Sequence, residues 1–269
     1  MTASPAHRFR LLAPVAVFVC ALLVGIWVAQ DTRPAGARSG SVQGVASSTS
    51  KPATLRVVAF NMRSGRGMDE RVDVDRSADT VRGFDLVGLQ EVLFTGPASL
   101  DELSRRVGLV AVGAPTERRW FRDDFGNALL TRYPATYEVI PLPVTSGRPA
   151  RNVLVATVDV GGWSVRVIVA HLGRHEDNAA HVRRVRELLL SLPPPAILLG
   201  DLNAHAGDGA LEELRATPGV TSVLQGRVAD HPDRVIWLFA RGLSVRDAGV
   251  IDKQASDHPA VWAEFALPR

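Results

Sequence analysis

Short apolar runs recur along the chain at residues 55–60, 86–89, 128–130, 153–158, 165–170, 197–199, 235–239 and 260–265. Each is brief, largely β-branched, and bounded by Gly, Pro, Asn or Asp, the pattern of buried strands. Between Asn178 and Leu192 the period changes. Val182, Val185, Leu189 and Leu192 recur at helical spacing, while Arg183, Arg184 and Arg186 fall elsewhere on the wheel. This predicts an amphipathic helix stopped by Pro193-Pro194-Pro195. Shorter helices are expected at 74–82, 100–107 and 210–215. Many strands with few helices suit an α/β domain of two packed sheets with outer helices better than a regular βαβ repeat.

The N-terminal region has a different pattern. His7, Arg8 and Arg10 precede an uncharged run from Leu11 to Ala29, about 28 Å long as a helix, which is close to a bilayer core. Residues 1–30 therefore read either as a membrane anchor or as a signal peptide. The basic residues before the run and Asp31 after it orient an anchor with the remaining chain outside the cytoplasm. As a signal peptide, the segment is cleaved near Ala35-Gly36-Ala37 and the protein is secreted. Residues 31–53, rich in Gly, Ser, Ala, Thr and Pro, read as a flexible linker, and residues 54–269 as the folded domain.

Composition narrows the chemistry. The 269-residue chain carries 31 Lys and Arg against 28 Asp and Glu, a formal net charge of +3. Arg8, Arg10, Arg33, Arg38, Lys51 and Asp31 precede residue 54, so the body holds 26 basic and 27 acidic residues and nets −1. That field gives little support for steering a polynucleotide. The single cysteine, Cys20, lies in the apolar run, so the domain has neither a disulfide nor a thiolate metal site.

Several apolar runs end on chemically useful side chains: Asn61, Glu91, His171, Asp201 with Asn203, and Asp257-His258. Each is ordinary alone, since strands stop in something polar. Five endings rich in carboxylate, amide and imidazole are harder to attribute to turns. Asp201 and Asn203 are two apart, so on extended chain both side chains face one way, while Gly200 permits close approach of another group. Such a set suits attack of water on a phosphorus ester, which needs a carboxylate to orient or deprotonate water, positive charge, and a proton for the leaving oxygen. Hard oxygen donors suit Mg²⁺, with Mn²⁺ or Ca²⁺ as alternatives, and disfavour zinc.

In order, the segments Leu55-Arg56-Val57-Val58-Ala59-Phe60-Asn61, Asp85-Leu86-Val87-Gly88-Leu89-Gln90-Glu91, Gly126-Asn127-Ala128-Leu129-Leu130-Thr131-Arg132-Tyr133-Pro134, Ala170-His171-Leu172, Gly200-Asp201-Leu202-Asn203 and Ser256-Asp257-His258-Pro259 resemble the endonuclease/exonuclease/phosphatase superfamily. The resemblance implies a four-layered α/β sandwich, with two central, mainly antiparallel sheets flanked by helices and a site at one edge. It implies Glu91 as a metal ligand supported by Asn61, with Asp257 supporting the metal or the catalytic histidine. It also implies Asp201 acting on the attacking water, Asn203 and His258 on the phosphoryl group, and His171 on the phosphate or leaving group. Asn127 is placed near the substrate pocket or in a structural role. In one respect the chain departs from the pattern: relatives commonly carry Asp where this chain has Ile236, and that Asp pairs with the final histidine. Asp233, Asp230 or Asp257 are the available substitutes.

The expected function is hydrolysis of a phosphoester outside the cytoplasm. Candidate substrates are phospholipid headgroups, phosphorylated small molecules and nucleic acid, and no obligate protein partner is implied. Arg118, Arg119, Arg122, Arg148 and Arg151 are candidates for binding a second phosphate or for ordinary solvated surface. The competing expectation, kept open by Ile236, is a catalytically weak or inactive member that binds a phosphorylated ligand or a partner protein.

Overall fold

Two seven-stranded sheets pack face to face in a computed structural model that describes residues 32–45, 52–119, 122–145, 147–229, 231–252 and 254–267. In chain order the strands are β1 (Thr32–Pro34), β2 (Arg38–Val42), β3 (Thr54–Asn61), β4 (Leu86–Leu93), β5 (Val110–Arg119), β6 (Arg122–Thr131), β7 (Ala135–Leu142), β8 (Arg151–Val160), β9 (Trp163–His171), β10 (Ala196–Asp201), β11 (Val220–Ser222), β12 (Ile236–Arg241), β13 (Ser244–Ile251) and β14 (Ala260–Ala266). The first sheet runs β1-β5-β6-β4-β3-β14-β13, the second β11-β12-β10-β9-β8-β7-β2. Among the described residues only β3–β4 and β9–β10 pair in parallel; the other strand pairs are antiparallel.

Strand alternation sorts side chains into three cores. Leu55, Val57 and Ala59 of β3 meet Val167, Val169 and Leu199 in the interface between the sheets. Val58 and Phe60, one residue out of phase, face the opposite way and pack under α1 (Val74–Val81) and α2 (Leu100–Val107). On the outer face of the second sheet, Ile168, Leu198 and Phe239 pack under α3 (Asn178–Ser191) and α4 (Gly209–Arg215). The result is the expected four-layered sandwich. Local signals set the helix ends: Asp73 caps α1 by accepting from the Asp75 and Arg76 amides, and Gly108 ends α2 in a left-handed turn. Val182, Val185 and Leu189 form the buried stripe of α3, joined by His181, whereas Leu192 lies just past its end.

The sheets touch closely at Gly88. A β-carbon there would lie 1.7 Å from Leu199 Cδ1 of the other sheet, so only glycine fits between them.

The linker expectation for residues 31–53 is corrected over part of its length. β1 pairs with β5, and β2 pairs with β7, adding an edge strand to each sheet. Arg38 then clips the two sheets together through a two-pronged ion pair to Asp123, at 2.9 and 3.0 Å. Gly44, read as spacer, is packed: a side chain there would collide with the Tyr133 backbone at 2.4 Å. An edge strand needs only its backbone to join a sheet, so it leaves no hydrophobic alternation to read. The apolar run 11–29 lies outside the described residues. Among the described residues, no helix is long and apolar enough to cross a membrane.

Candidate active site

Both parallel pairs end at the same edge of the sandwich, and the register brings their last residues level. Asn61 lies beside Gln90, and Asp201 beside His171. The second alignment depends on Gly200, whose φ is 141° and whose missing β-carbon would sit 2.0 Å from Ala170 O. In β4 a bulge sets Gln90 and Glu91 against the single residue Asn127 of β6, and Glu91 takes a left-handed φ of 55°. Bulges re-aim side chains at sheet edges; this one delivers Glu91 to the cleft.

Asp201 is the hub. It is wholly buried; its Oδ2 accepts from Asn61 Nδ2 at 3.0 Å, and its Oδ1 from the Asn203 amide at 2.9 Å. The same Asn61 nitrogen donates to Glu91 Oε1 at 3.1 Å, so one amide ties the two carboxylates together across the sheets. Two imidazoles flank Asp201 Oδ2, with His171 Nε2 at 3.7 Å and His258 Nε2 at 3.9 Å. Asn203, in a left-handed conformation, donates Nδ2 to Leu172 O and accepts from Arg174 Nε, both at 2.9 Å. Asp257 sits with His258 at 3.9 Å, Ser256 Oγ at 3.1 Å and Arg63 Nε at 3.6 Å.

The structure therefore gathers Asn61, Glu91, His171, Asp201, Asn203, Asp257 and His258 at one edge. Asn127 lies opposite the bulge and turns its side chain to the other sheet: its Nδ2 donates to Asn152 at 3.0 Å, and Asn152 in turn donates to the Ala114 and Pro115 carbonyls. Its direct bonds serve the contact between sheets. Among the described residues, buried side-chain atoms without a partner are Ser77 Oγ and, at or beside this edge, atoms of Gln90, Asn127 and His171. Unpaired buried polar atoms are costly, and three of the four residues that carry them lie at or beside this edge. No three His, Cys, Asp or Glu side chains among the described residues converge to hold a metal by themselves.

Arg151 and Arg174 are the parts of the site that strand endings could not reveal. They line a cleft of about 370 Å³ together with Glu91, Arg148, His171 and His175. Arg151, at the start of β8, places Nη1 3.5 Å from His171 Nδ1. Burial pushes the His171 pKa down to about 3; the Asp201 charge opposes this, while Arg151, Arg174 and His258 reinforce it.

Ile236 is the register partner of Asp201 on the side opposite His171 and belongs to the core between the sheets. Beyond it, a cavity of about 570 Å³ is lined by Val235, Ile236, Val250 and Val261 and reaches Asp257 and His258. His258 has carboxylates of Asp201 and Asp257 beside it, whereas Asp233 lies near His231. Asp230 lies outside the described residues.

The sequence profile of the endonuclease/exonuclease/phosphatase family matches residues 58–258. The chain belongs to that family. The family enzyme from Beutenbergia cavernae is 25% identical, with a TM-score of 0.64 over 80% of this chain and 72% of that one. The family protein from Bacteroides vulgatus reaches 0.64 at 15% identity, covering 81% of this chain and 100% of that one. Danio rerio TDP2, solved with a single-strand DNA product, reaches 0.60 at 17% identity over 80% of this chain and 100% of its own. No curated sequence is a significant match. Family membership identifies the general class of chemistry as phosphoester hydrolysis.

Proposed function

We propose that this chain is an exported, membrane-tethered, divalent-metal-dependent phosphoester hydrolase in which Asp201 orients and deprotonates the attacking water. The observation that carries this reading is the placement of a buried Asp201 carboxylate between His171 and His258, with both oxygens fixed by Asn61 and Asn203. A carboxylate aimed in this way positions a water for attack on phosphorus. The second N–H of the Asn203 side-chain amide, whose other N–H is held by Leu172 O, and the imidazoles serve the phosphoryl oxygens.

The donor set fits a Mg²⁺-like ion. Such ions use one or two carboxylates and retain waters or substrate oxygens, so a cluster of three carboxylates is not required. Glu91, oriented by the Asn61 amide, would hold the ion, with Asp257 in support. When bound, it would supply positive charge against the negative charge that develops on oxygen. Export and tethering rest on the uncharged run 11–29 behind Arg8 and Arg10. The near-neutral body and a membrane address favour phospholipid headgroups or phosphorylated small molecules over nucleic acid.

The decisive measurement is Mg²⁺-dependent hydrolysis of bis-p-nitrophenyl phosphate by the full chain and by Asp201→Ala. Loss of the base is expected to lower kcat by about 10²- to 10⁴-fold. Equal rates would instead support the alternative suggested by Ile236, a family member that binds a phosphorylated ligand without turning it over.

A further inference from the structure

We infer that Arg151 holds His171 as a neutral imidazole protonated on Nε2, so that His171 donates a hydrogen bond to a phosphoryl oxygen and does not protonate the leaving group. The argument begins with donor inventory. A guanidinium has N–H donors and no acceptor, and Arg151 Nη1 faces His171 Nδ1 at 3.5 Å. The lone pair must therefore be on Nδ1, because a proton there would point one donor at another. The remaining proton belongs on Nε2, which is buried, lacks a hydrogen-bond partner and lies 3.7 Å from Asp201 Oδ2.

An imidazolium would set two cations against each other in a desolvated site. Arg174, from the loop after β9, and His258, ahead of β14, add to that repulsion, and Asp201 of β10 opposes it. Among the described residues Arg151 makes no ion pair; the charges of Asp201, Glu91 and Glu117 attract it, and its Nη1 faces the His171 ring. A neutral N–H aimed beside Asp201 meets the phosphoryl oxygen when a substrate fills the cleft. Arg151 is thus a positioning residue acting through His171.

The role of His171 rests on the hydrolase reading; its tautomer does not. The first test is ¹⁵N NMR of the full chain with labelled histidine, using His171→Gln to assign the signal. Wild type is expected to show protonated Nε2 and bare Nδ1 at pH 7. Arg151→Met should shift the proton toward Nδ1, and Arg151→Lys, which keeps a cationic donor, should preserve the original state. An Nδ1–H ring, an imidazolium at pH 7, or an unchanged tautomer in Arg151→Met would overturn the proposal.

The second test is turnover of bis-p-nitrophenyl phosphate with Mg²⁺. Removing one donor to developing charge costs about 10²- to 10³-fold in kcat, the loss expected for His171→Ala. His171→Gln, whose amide N–H projects much like Nε2–H, should recover about tenfold or more of that loss. If His171 were the acid, Gln would be as poor as Ala, and the assigned role would fail. Absence of turnover in wild type would count against the hydrolase reading, while the NMR result would still decide the tautomer.

Discussion

Replacing Gly88 with alanine should force the two sheets apart at a close contact two residues from the candidate active site. The new β-carbon would lie 1.7 Å from Leu199 Cδ1, 3.0 Å from its Cγ and 3.4 Å from its Cδ2. Carbon atoms pack at about 3.5–4.0 Å, so the nearest contact is about 2 Å too short. Because Cγ is also crowded, rotating the leucine about its outer bond does not clear the space. Overpacking a filled core typically costs about 1–3 kcal/mol, and a deficit this large points to the upper end. Leu199→Ala alone should cost about 3–5 kcal/mol through lost burial and a cavity. It also removes all three crowded atoms, so in the double variant the methyl introduced at position 88 enters space that Leu199 vacated. The two changes should therefore be strongly non-additive, with the double variant at least about 1 kcal/mol more stable than the sum of the single effects. Urea unfolding followed by tryptophan fluorescence measures this cycle. Additivity within about 0.5 kcal/mol would refute the claim that these residues form the close contact between sheets. Leu199 is two residues from Asp201, and Gly88 is two from Gln90, so Gly88→Ala should also lower turnover under conditions where the protein remains folded.

Acid should destabilise the protein through His171. Its folded pKa is pushed down to about 3, so the unfolded chain takes up a proton near pH 6.5 that the folded protein resists, and stability falls as pH drops through that window, by up to about 1.4 kcal/mol per pH unit. Urea titrations at pH 7 and pH 5 should show a smaller fall for His171→Gln; an unchanged fall would show that this imidazole is not the source. Ile236→Asp buries a carboxylate in the core beside Asp201 and is expected to lower Tm without raising turnover. Higher turnover in a folded Ile236→Asp variant would show that His258 still lacks an effective partner. A chain shortened to begin at Thr54 should lose solubility relative to one beginning at Asp31, because β5 and β7 would become uncovered edges; equal behaviour in size-exclusion chromatography would argue against that role.

The strands that carry the candidate site were legible because burial on both faces makes their sequences continuous apolar runs, and polar residues at their ends stand out against them. Helical period and the Pro193-Pro194-Pro195 stop likewise exposed α3. β5 and β7 were less legible: Gly113 and Pro115 interrupt one, and exposed polar residues dilute the other. β1 and β2 have no hydrophobic signature at all. The Arg151–His171 contact joins positions 20 residues apart, and only the β8–β9 register, which sets Val153 opposite Ala170, brings them together. Motif order alone gave His171 a choice of roles; the neighbouring guanidinium distinguishes between them. The glycine at 88 likewise has no local marker, because what forbids a methyl there belongs to the other sheet.

If the proposed tether holds the domain at a membrane, the start of β1 sets how far the domain could roam. With Thr32 already paired to Arg119, at the tip of the hairpin on the same end of the first sheet as Glu91, only Gln30 and Asp31 separate that strand from the uncharged run. Two extended residues span about 7 Å. A protein held in a bilayer by that run would be on a short leash, with its catalytic rim near the lipid surface and soluble substrates having to diffuse to it.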